Sequence, residues 1–326
     1  MNIFYLFFLY LIISTTIICF SKQFKFYDIP SSRKIHSTKV INTGGVILYF
    51  YYLLTAILFE FNHNIELIIS IGFFICLTGF VDDRINLSPS NKILFILMPS
   101  MYLLLNNITI YDLGRYELLG TLYLGKLQIP FLILAICLLV NATNYIDGVD
   151  GLLLIFFICF LCNSLFFVND GNTYNLIIIL LIPLIFNLFL NFLPIKFKVI
   201  SGDSGSLFVG FFVGFFTIEL YNSFKIHPVF LIWPLWYPVY DFLFVTFRRI
   251  VKKKPFFNAD NNHLHHKILK KFKNNHLKTA LLFLISNSLI IYFGYLISSY
   301  SRIISLITFA LGFFAYISFR LIEEKK

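Results

Sequence analysis

The run Asn144-Tyr-Ile-Asp-Gly-Val-Asp-Gly151 stands between two apolar segments, residues 128–143 and 152–168. Each segment is close to the length of an α-helix that crosses a bilayer, about 17–25 residues, so the run is predicted to be a short loop at the membrane surface. Two carboxylates and an amide at that boundary are costly unless the protein uses them, and the two glycines let the backbone turn sharply and approach a ligand. We interpret this loop as one wall of a phosphate and nucleotide site.

The composition is that of an integral membrane protein. Of the 326 residues, 59% are hydrophobic and 13% are charged, whereas soluble domains have about 45–50% and about 25%. The apolar residues fall in blocks of spanning length, which predicts an all-α polytopic membrane helical bundle of about 11 transmembrane helices in a single domain, 1–326. The predicted helices are 3–20, 44–60, 65–81, 92–106, 128–143, 152–168, 174–193, 205–222, 228–247, 279–299 and 303–320.

The loops between these segments alternate between two sides, and the basic residues are divided unequally between them. One side carries 22 of the 26 Lys and Arg. Basic loops favour the cytoplasm, so this side and the carboxyl terminus are predicted to be cytoplasmic, and the amino terminus to lie outside. Membrane insertion and anionic lipid account for the net charge of +10, so no nucleic-acid partner is predicted. The cytoplasmic loops predicted to form the active site are 21–43, 82–92, 144–151, 194–204 and 248–278.

The outside loop 107–127 is rich in β-branched and aromatic residues, which are typical of strands. It is predicted to form a short exterior β-hairpin, with strands at 108–111 and 116–120 and the turn at 112–115. We interpret it as a structural lid.

Four more polar clusters lie on the predicted cytoplasmic side. The first runs from Arg33 to His36 and is followed by Gly44 and Gly45 at the start of the second helix. Glycines at a helix start leave N–H groups that suit an anion. A basic loop followed by an ordinary turn explains this cluster equally well.

The second cluster is Asp82-Asp83-Arg84, at the end of the third helix. Adjacent carboxylates repel each other, and Asp at a helix carboxyl end is opposed by the helix dipole. A solvated helix end is the alternative, but these two disadvantages favour a Mg²⁺–phosphate site or a proton acceptor.

The third cluster, Ser201-Gly-Asp203-Ser-Gly-Ser206, opens the eighth helix. Capping a helix needs only one such residue. The small residues and the free N–H groups of a helix start predict a phosphate cradle, with Asp203 as a metal ligand.

The fourth cluster is His263-Leu-His265-His266, which follows Asp260. It suits a Zn²⁺ site completed by Asp260, hydrogen bonds to phosphate, or a proton shuttle, and these alternatives stay open. Carboxylates, histidines and helix starts on one membrane face indicate phosphoryl transfer, in which the protein positions the reactants and neutralises charge.

Four of these five stretches resemble, in order and spacing, the motifs of the polyprenyl-phosphate N-acetylhexosamine-1-phosphate transferases. These four motifs are Asp82-Asp83-Arg84, Asn144-x-x-Asp147-Gly-x-Asp150-Gly, Gly202-Asp203-Ser-Gly-Ser206 and His263-x-His265-His266. The resemblance extends over about residues 36–271, and the His-x-His-His form resembles the branch that uses simple UDP-N-acetylhexosamines. It implies transfer of HexNAc-1-phosphate from a UDP-N-acetylhexosamine to undecaprenyl phosphate, giving undecaprenyl-diphospho-HexNAc and UMP. It also implies Mg²⁺ as cofactor, with Mn²⁺ as an alternative ion.

The resemblance further implies a multi-pass enzyme in the bilayer of the bacterial inner (cytoplasmic) membrane. Its product would initiate a surface glycan such as O-antigen or teichoic acid. The identity of the sugar and the oligomeric state, with a homodimer among the alternatives, stay open.

Roles carry over from the family residue by residue. Asp203 resembles the Mg²⁺ ligand, and Asp82 and Asp83 resemble the carboxylates that orient or deprotonate the lipid phosphate. The predicted catalytic residues are Asp82, Asp83, Asp203, His263, His265 and His266. The predicted substrate-binding residues are Asn144, Asp147, Asp150, Gly202, Ser204, His36 and Arg33.

The chain departs from the family pattern at two places. The first loop lacks the two prolines and the arginine of the family sequence, and Lys39 is the charge that is left there. Asn261 stands where the family has Arg after the Asp of the fourth motif. Two guanidiniums that could bind phosphate in a bidentate manner are therefore missing, which affects the sugar more than the reaction class.

Two other functions fit parts of the pattern. A secondary transporter would carry ionisable groups near the bilayer midplane and two related halves, whereas here the carboxylates lie at helix ends and no internal repeat is found. A catalytically inactive family member would be expected to lose acidic residues, but the acidic residues of all four motifs are present.

Overall fold

The computed structural model describes residues 3–28, 39–168, 170–253 and 262–325. Within these ranges the chain is mostly helical, with two small two-stranded sheets, which confirms the predicted all-α class. The helices are α1 (Ile3–Gln23), α2 (Gly44–Phe59), α3 (His63–Ile85), α4 (Pro89–Leu105), α5 (Gln128–Ile146), α6 (Leu152–Leu165), α7 (Gly171–Phe192), α8 (Gly202–Asn222), α9 (Pro228–Leu231), α10 (Trp236–Val251), α11 (Leu264–Lys271), α12 (His276–Tyr300) and α13 (Arg302–Lys325).

All eleven predicted segments correspond to helices of the structure. Among the described residues, eight helices are long and apolar enough to cross a membrane, and α2, α4 and α6 are shorter apolar helices. The short α9 continues through a 3₁₀ turn into α10, so that together they form one apolar stretch, Pro228–Val251. The chain is therefore a polytopic membrane protein; the amphipathic α11 is the one helix of the described ranges that the apolar segments did not predict.

Helix α8 lies at the centre of the bundle. In an apolar stretch of 18 residues in α8, 89% of the residues are buried, whereas in the corresponding stretch of α13 only 11% are buried. Helices α2 and α3 reach the backbone of α8 at glycines: a Cβ on Gly45 would overlap Gly205, and one on Gly79 would overlap the Asp203 carbonyl oxygen. Small residues at such crossings let two membrane helices come into backbone contact.

Two small antiparallel sheets mark the opposite ends of the bundle. Strands β1 (Tyr27–Asp28) and β2 (Val40–Ile41) pair with each other, and Ile41 also forms a parallel bridge to Val199. We name this end, where the four motifs lie, the motif end. Strands β3 (Asp112–Tyr116) and β4 (Gly120–Tyr123) form the hairpin of the other end, the hairpin end.

The predicted hairpin is confirmed, but its predicted turn is wrong. The turn lies at 117–119, and residues 112–115, predicted to turn, form most of β3. Residues 108–111 are not a strand, because Ile108 and Thr109 are buried against the end of the bundle and the Thr109 carbonyl accepts from Asn222. Local β-propensity did not reveal that contact.

Substituting Gly79 with Ala is expected to destabilise the protein. The new methyl group must push α3 away from Asp203 and Ser204, and overpacking of this kind costs about 1–3 kcal/mol. Thermal unfolding of the purified protein in detergent should show a lower Tm. Gly171→Ala is the matched control, since nothing lies within 4 Å of its Cβ position; equal Tm values for the two variants would contradict the packing argument.

Candidate active site

A carboxylate of α3 accepts hydrogen bonds from the amino end of α8. The backbone N–H of Asp203, in the first turn of α8, donates to both carboxylate oxygens of Asp83, at 3.2 and 3.1 Å. Asp83 thus satisfies donors that α8 itself cannot pair. The Asp203 N–H, one of the donors of the predicted phosphate cradle, therefore already has an acceptor within the protein; the cradle itself stays a prediction.

Gly202 and Ser204 support this junction. Gly202 has φ +66°, and a Cβ there would overlap the side-chain oxygen of Asn42 and lie 2.8 Å from Asp83 Oδ2. Ser204 is fully buried, and its hydroxyl donates to the Ser201 carbonyl at 3.3 Å. Substrate contact of Ser204 and Gly202 stays a prediction; in the described structure Ser204 is held by the backbone of its own helix start, and Gly202 meets a packing requirement between Asn42 and Asp83.

Lys92 provides a positive charge between two of the predicted catalytic carboxylates. Its Nζ forms an ion pair with Asp82 Oδ2 and lies 3.7 Å from Asp203 Oδ2. The other Asp82 oxygen accepts the Leu87 N–H at 2.7 Å. The sequence patterns placed Lys92 at the boundary between the loop 82–92 and an apolar helix and gave it no role in the site. A lysine in the first turn of an otherwise apolar helix was the signal that could have identified it.

The loop 144–151 joins this acidic group. Asn144 Nδ2 donates to Asp203 Oδ1 at 2.8 Å and lies 2.9 Å from the Ser206 hydroxyl oxygen. Asp147 caps the end of α5, and burial together with the Asp203 and Asp83 carboxylates raises its pKa well above the usual value. The protonated, neutral form of Asp147 is therefore favoured where the loop meets α3 and α8.

Asp150 is placed differently from Asp147. Its carboxylate forms an ion pair with Lys198 at 2.5 Å, and its backbone N–H donates to His276 Nδ1 at 3.1 Å. Next to it, Gly151 has φ +74° and donates its N–H to Asn191. Asp150, predicted to line the nucleotide pocket, thus has basic partners that the sequence analysis did not identify, and these contacts hold the end of the loop on α7 and α12.

The histidine segment covers the other side of the same loop. His263 Nδ1 lies 2.6 Å from Asp241 Oδ2, and His265 Nδ1 lies 2.8 Å from the Tyr237 hydroxyl. His266 is partly exposed and packs on Gly148, where a Cβ would lie 2.5 Å from its ring.

The three rings differ in their surroundings. Burial and the neighbouring His266 and His263 lower the pKa of His265 well below its usual value, and burial and His263 lower the pKa of His266 to about 4. Both rings are therefore neutral near pH 7. Asp241 and Tyr237 lie in an apolar segment, where any ionisable residue is a candidate for function; the sequence analysis did not use that signal.

The structure brings most of the predicted residues into two adjoining groups. Asp82, Asp83, Asp203 and Asn144 meet at the start of α8, and the histidines meet the same loop at Gly148. The predicted residues Arg33 and His36, and also Asp260 and Asn261, lie outside the described ranges.

The prediction of free N–H groups at the start of α2 is contradicted. The Gly44 and Gly45 N–H groups are not free for an anion, because they donate to the carbonyls of Ile200 and Ser201. These bonds join the start of α2 to the strand-like segment before α8, next to the bridge between Ile41 and Val199.

The donors at the start of α8 fit a hard divalent cation. Asp82, Asp83 and Asp203 offer carboxylate oxygens, which Mg²⁺ prefers, and Mg²⁺ commonly uses only one or two carboxylates together with phosphate oxygens and water. In the described ranges no three His, Cys, Asp or Glu side chains are arranged to hold a metal ion by themselves. A cation held here would therefore need substrate oxygens as further ligands.

Protein stability is expected to fall between pH 6.5 and pH 4, partly through His266. The folded state binds this proton only near pH 4 and the unfolded chain near pH 6.5, so the unfolded state binds more protons in that window and stability decreases as pH falls. The Tm should therefore drop from about pH 7.5 to about pH 5, and His266→Gln should reduce that drop.

His63→Gln is the control for this experiment. It removes an exposed histidine at the hairpin end without touching the cluster, so its Tm should follow pH as the wild type does. If His266→Gln and His63→Gln gave the same pH dependence, the buried environment assigned to His266 would be wrong.

Comparison with known proteins relates this chain to glycosyl transferases. Residues 65–221 match the model of glycosyl transferase family 4. This range includes Asp82, Asp83 and Asp203 and the loop 144–151. A probable undecaprenyl-phosphate N-acetylglucosaminyl 1-phosphate transferase of Bacillus subtilis (strain 168) is 27% identical, over 79% of this chain and 74% of its own.

Two further relatives are undecaprenyl-phosphate alpha-N-acetylglucosaminyl 1-phosphate transferases. The protein of Escherichia coli (strain K12) is 26% identical over 91% of this chain and 84% of its own, and that of Thermotoga maritima is 29% identical over 77% and 76%. The resemblance predicted from the four motifs is therefore confirmed: the chain is a multi-pass membrane protein that resembles the polyprenyl-phosphate N-acetylhexosamine-1-phosphate transferases, with glycosyl transferase family 4 matched over residues 65–221.

Proposed function

We propose that this protein transfers HexNAc-1-phosphate from a UDP-N-acetylhexosamine to undecaprenyl phosphate. The observation that carries the proposal is the meeting of Asp82, Asp83 and Asp203 around the start of α8, linked by Asn144 to the loop that packs under the histidine segment. The relatives bear the name of this reaction with N-acetylglucosamine as the sugar, so UDP-GlcNAc is the first donor to test.

In this reaction an oxygen of the lipid phosphate attacks the β-phosphorus of the UDP-sugar. A new P–O bond forms to the sugar-bearing phosphate, and the bond to the bridging oxygen breaks, so that UMP leaves with that oxygen. A phosphate monoester has its second pKa near about 6 and is mostly dianionic at neutral pH. Little deprotonation is therefore needed, and we favour direct attack on the UDP-sugar.

The chain's own task is to bring anions together and to neutralise charge. Lys92 already lies between Asp82 and Asp203, from where its ammonium group can turn from carboxylate to phosphate. We propose Asp203, with Asp82 or Asp83, as the ligands for Mg²⁺, which when bound would neutralise diphosphate oxygens. Asn144 fixes the Asp203 carboxylate, and we propose that Asp147 and the partly exposed His266 contact the nucleotide.

The division of basic residues supports a cytoplasmic motif end. The loops of the motif end are those that hold 22 of the 26 Lys and Arg. Loops rich in basic residues remain in the cytoplasm, where UDP-sugars are made. The amino terminus would then lie outside and the carboxyl terminus inside, in the bacterial cytoplasmic membrane. We propose that the single domain 1–326 starts a surface glycan at this face.

A radiolabel assay tests the reaction. Purified protein, undecaprenyl phosphate, Mg²⁺ and a panel of UDP-sugars that begins with UDP-GlcNAc should give labelled lipid with one sugar. Asp203→Asn should lower the rate at least about 10²-fold, as loss of a group that stabilises the transition state does. Asp170→Asn is the matched control, because Asp170 caps α7 at the hairpin end and Asn caps equally well. No transfer with any sugar, while a known relative works in parallel, would leave an inactive family member or a transporter.

Isotope exchange separates direct attack from a covalent aspartyl-phosphate intermediate. Direct attack needs both substrates at once, so labelled UMP should not enter the UDP-sugar when undecaprenyl phosphate is absent. A covalent intermediate would release UMP before the lipid binds and would allow that exchange. Exchange in wild-type protein that disappears in Asp203→Asn would therefore reject direct attack.

A further inference from the structure

Two side chains of α10, one helical turn apart, hold two of the histidines in different ways. Tyr237 and Asp241 are both buried, and each contacts the Nδ1 atom of one ring: His265 and His263, respectively. The partners differ in kind, because a phenol can donate and accept whereas an ionised carboxylate only accepts. That difference determines where each imidazole carries its proton.

His265 is the ring held by the phenol. The Tyr237 oxygen already accepts the backbone N–H of His265 at 3.0 Å, so its own proton points to Nδ1 of the same residue. Nδ1 is then the acceptor, and the proton of the neutral ring resides on Nε2. This Nε2 is buried, makes no hydrogen bond within the described part of the chain, and lies 3.3 Å from the Cβ position of Gly148.

His263 is the ring held by the carboxylate. Its Nδ1 lies 2.6 Å from Asp241 Oδ2, so the proton resides on Nδ1 and the lone pair of the neutral ring on Nε2. The ring of Tyr145, from the loop 144–151, lies against it with centroids 5.0 Å apart. His263 and His265 therefore show opposite proton positions although their ring planes are only 13° from parallel.

Asp241 is kept in place from the far end of the chain. Its second oxygen, Oδ1, accepts from Arg320 Nη1 at 2.6 Å, from the Tyr316 hydroxyl at 2.6 Å and from the Leu264 N–H at 3.2 Å. Arg320 is fully buried and also donates to the Asn262 carbonyl. A guanidinium opposite a buried carboxylate favours the ionised form, and within the described part of the chain Oδ2 bonds to His263.

Building on the transferase activity proposed above, we infer that Asp241 and Tyr237 assign opposite tautomers to His263 and His265, and that Arg320 on α13 is a positioning residue for this arrangement. His263 is then the ring that can take up a proton at Nε2 and offer it to a phosphate oxygen, with Asp241 stabilising the cation. His265 stays a neutral donor toward the loop at Gly148. The histidines of the motif are thus not interchangeable.

Nitrogen NMR of the histidine rings tests this assignment without any substrate. Protein with ¹⁵N-labelled histidine, reconstituted in lipid and observed near neutral pH, should show His265 with its proton on Nε2 and His263 with its proton on Nδ1. Single His→Gln variants at 263 and 265 assign the signals among the seven histidines of the chain. The same tautomer in both rings, or both assignments reversed, would overturn the inference.

Asp241→Asn is the variant that tests the tautomer of His263 most directly. Three donors point at Oδ1, so the amide must keep its oxygen there and turn its NH₂ group toward His263. That group can only donate, which forces Nδ1 of His263 to become the acceptor and moves the ring proton to Nε2, while His265 is unchanged. Tyr237→Phe should affect His265 alone, leaving its proton divided between the two nitrogens.

Tyr240→Phe is the matched control, because it removes a hydroxyl of the same helix whose hydrogen bond, among the described residues, goes to the Phe309 carbonyl. It should leave both tautomers unchanged. Asp241→Asn protein that folds with the wild-type His263 signal would contradict the assignment, and if the variant does not fold, the wild-type spectrum alone decides. Transfer activity with wrong tautomers would reject this inference and keep the proposed function, whereas correct tautomers without transfer to any lipid would reject the proposed function.

Discussion

The hydrogen bonds from the start of α8 to the Asp83 carboxylate are the interaction on which the site depends. Helix α8 is surrounded by protein, so its first N–H groups have little access to water and need an acceptor. Asp83 stands at the end of α3, where the helix dipole opposes a carboxylate, and the positive end of α8 removes that penalty. Two unfavourable helix ends thus stabilise each other, and Asp203, one residue into α8, is fixed as a consequence.

The close approach of α3 and α8 makes this pairing geometrically available. Gly79 allows backbone contact with Asp203, and Asn42 fits beside Gly202 where any other residue would collide with it. The loop 144–151 then connects the acidic group to the rings: Asn144 contacts Asp203, and Tyr145 contacts His263. Backbone fit at glycines and polar pairing at the loop therefore position the same few side chains.

The sequence alone was sufficient to predict the features that depend on local patterns of residues. Apolar runs predicted every spanning helix, and the clustering of Asp, Asn and His at their ends predicted which loops meet. It was not sufficient where the partner is distant in the chain: Asp241 meets Arg320 across 79 residues, and Asn144 meets Asp203 across 59. Free donors predicted at Gly44, Gly45 and the start of α8 proved to be paired with the backbone or with Asp83, because neighbours in space, not in sequence, supply the acceptors.

The pairing of Asp241 with Arg320 also has a consequence for biosynthesis. A chain is made and inserted from its amino end, so α10 enters the membrane with its carboxylate before the guanidinium that will face it has been translated. A carboxylate alone in that position is costly, and the histidine segment, which is held by the same oxygen atoms, cannot settle until α13 arrives. Helix α13, although few of its residues are buried, therefore completes the support of the histidine segment, and a nascent chain that stops short of α13 is left without it.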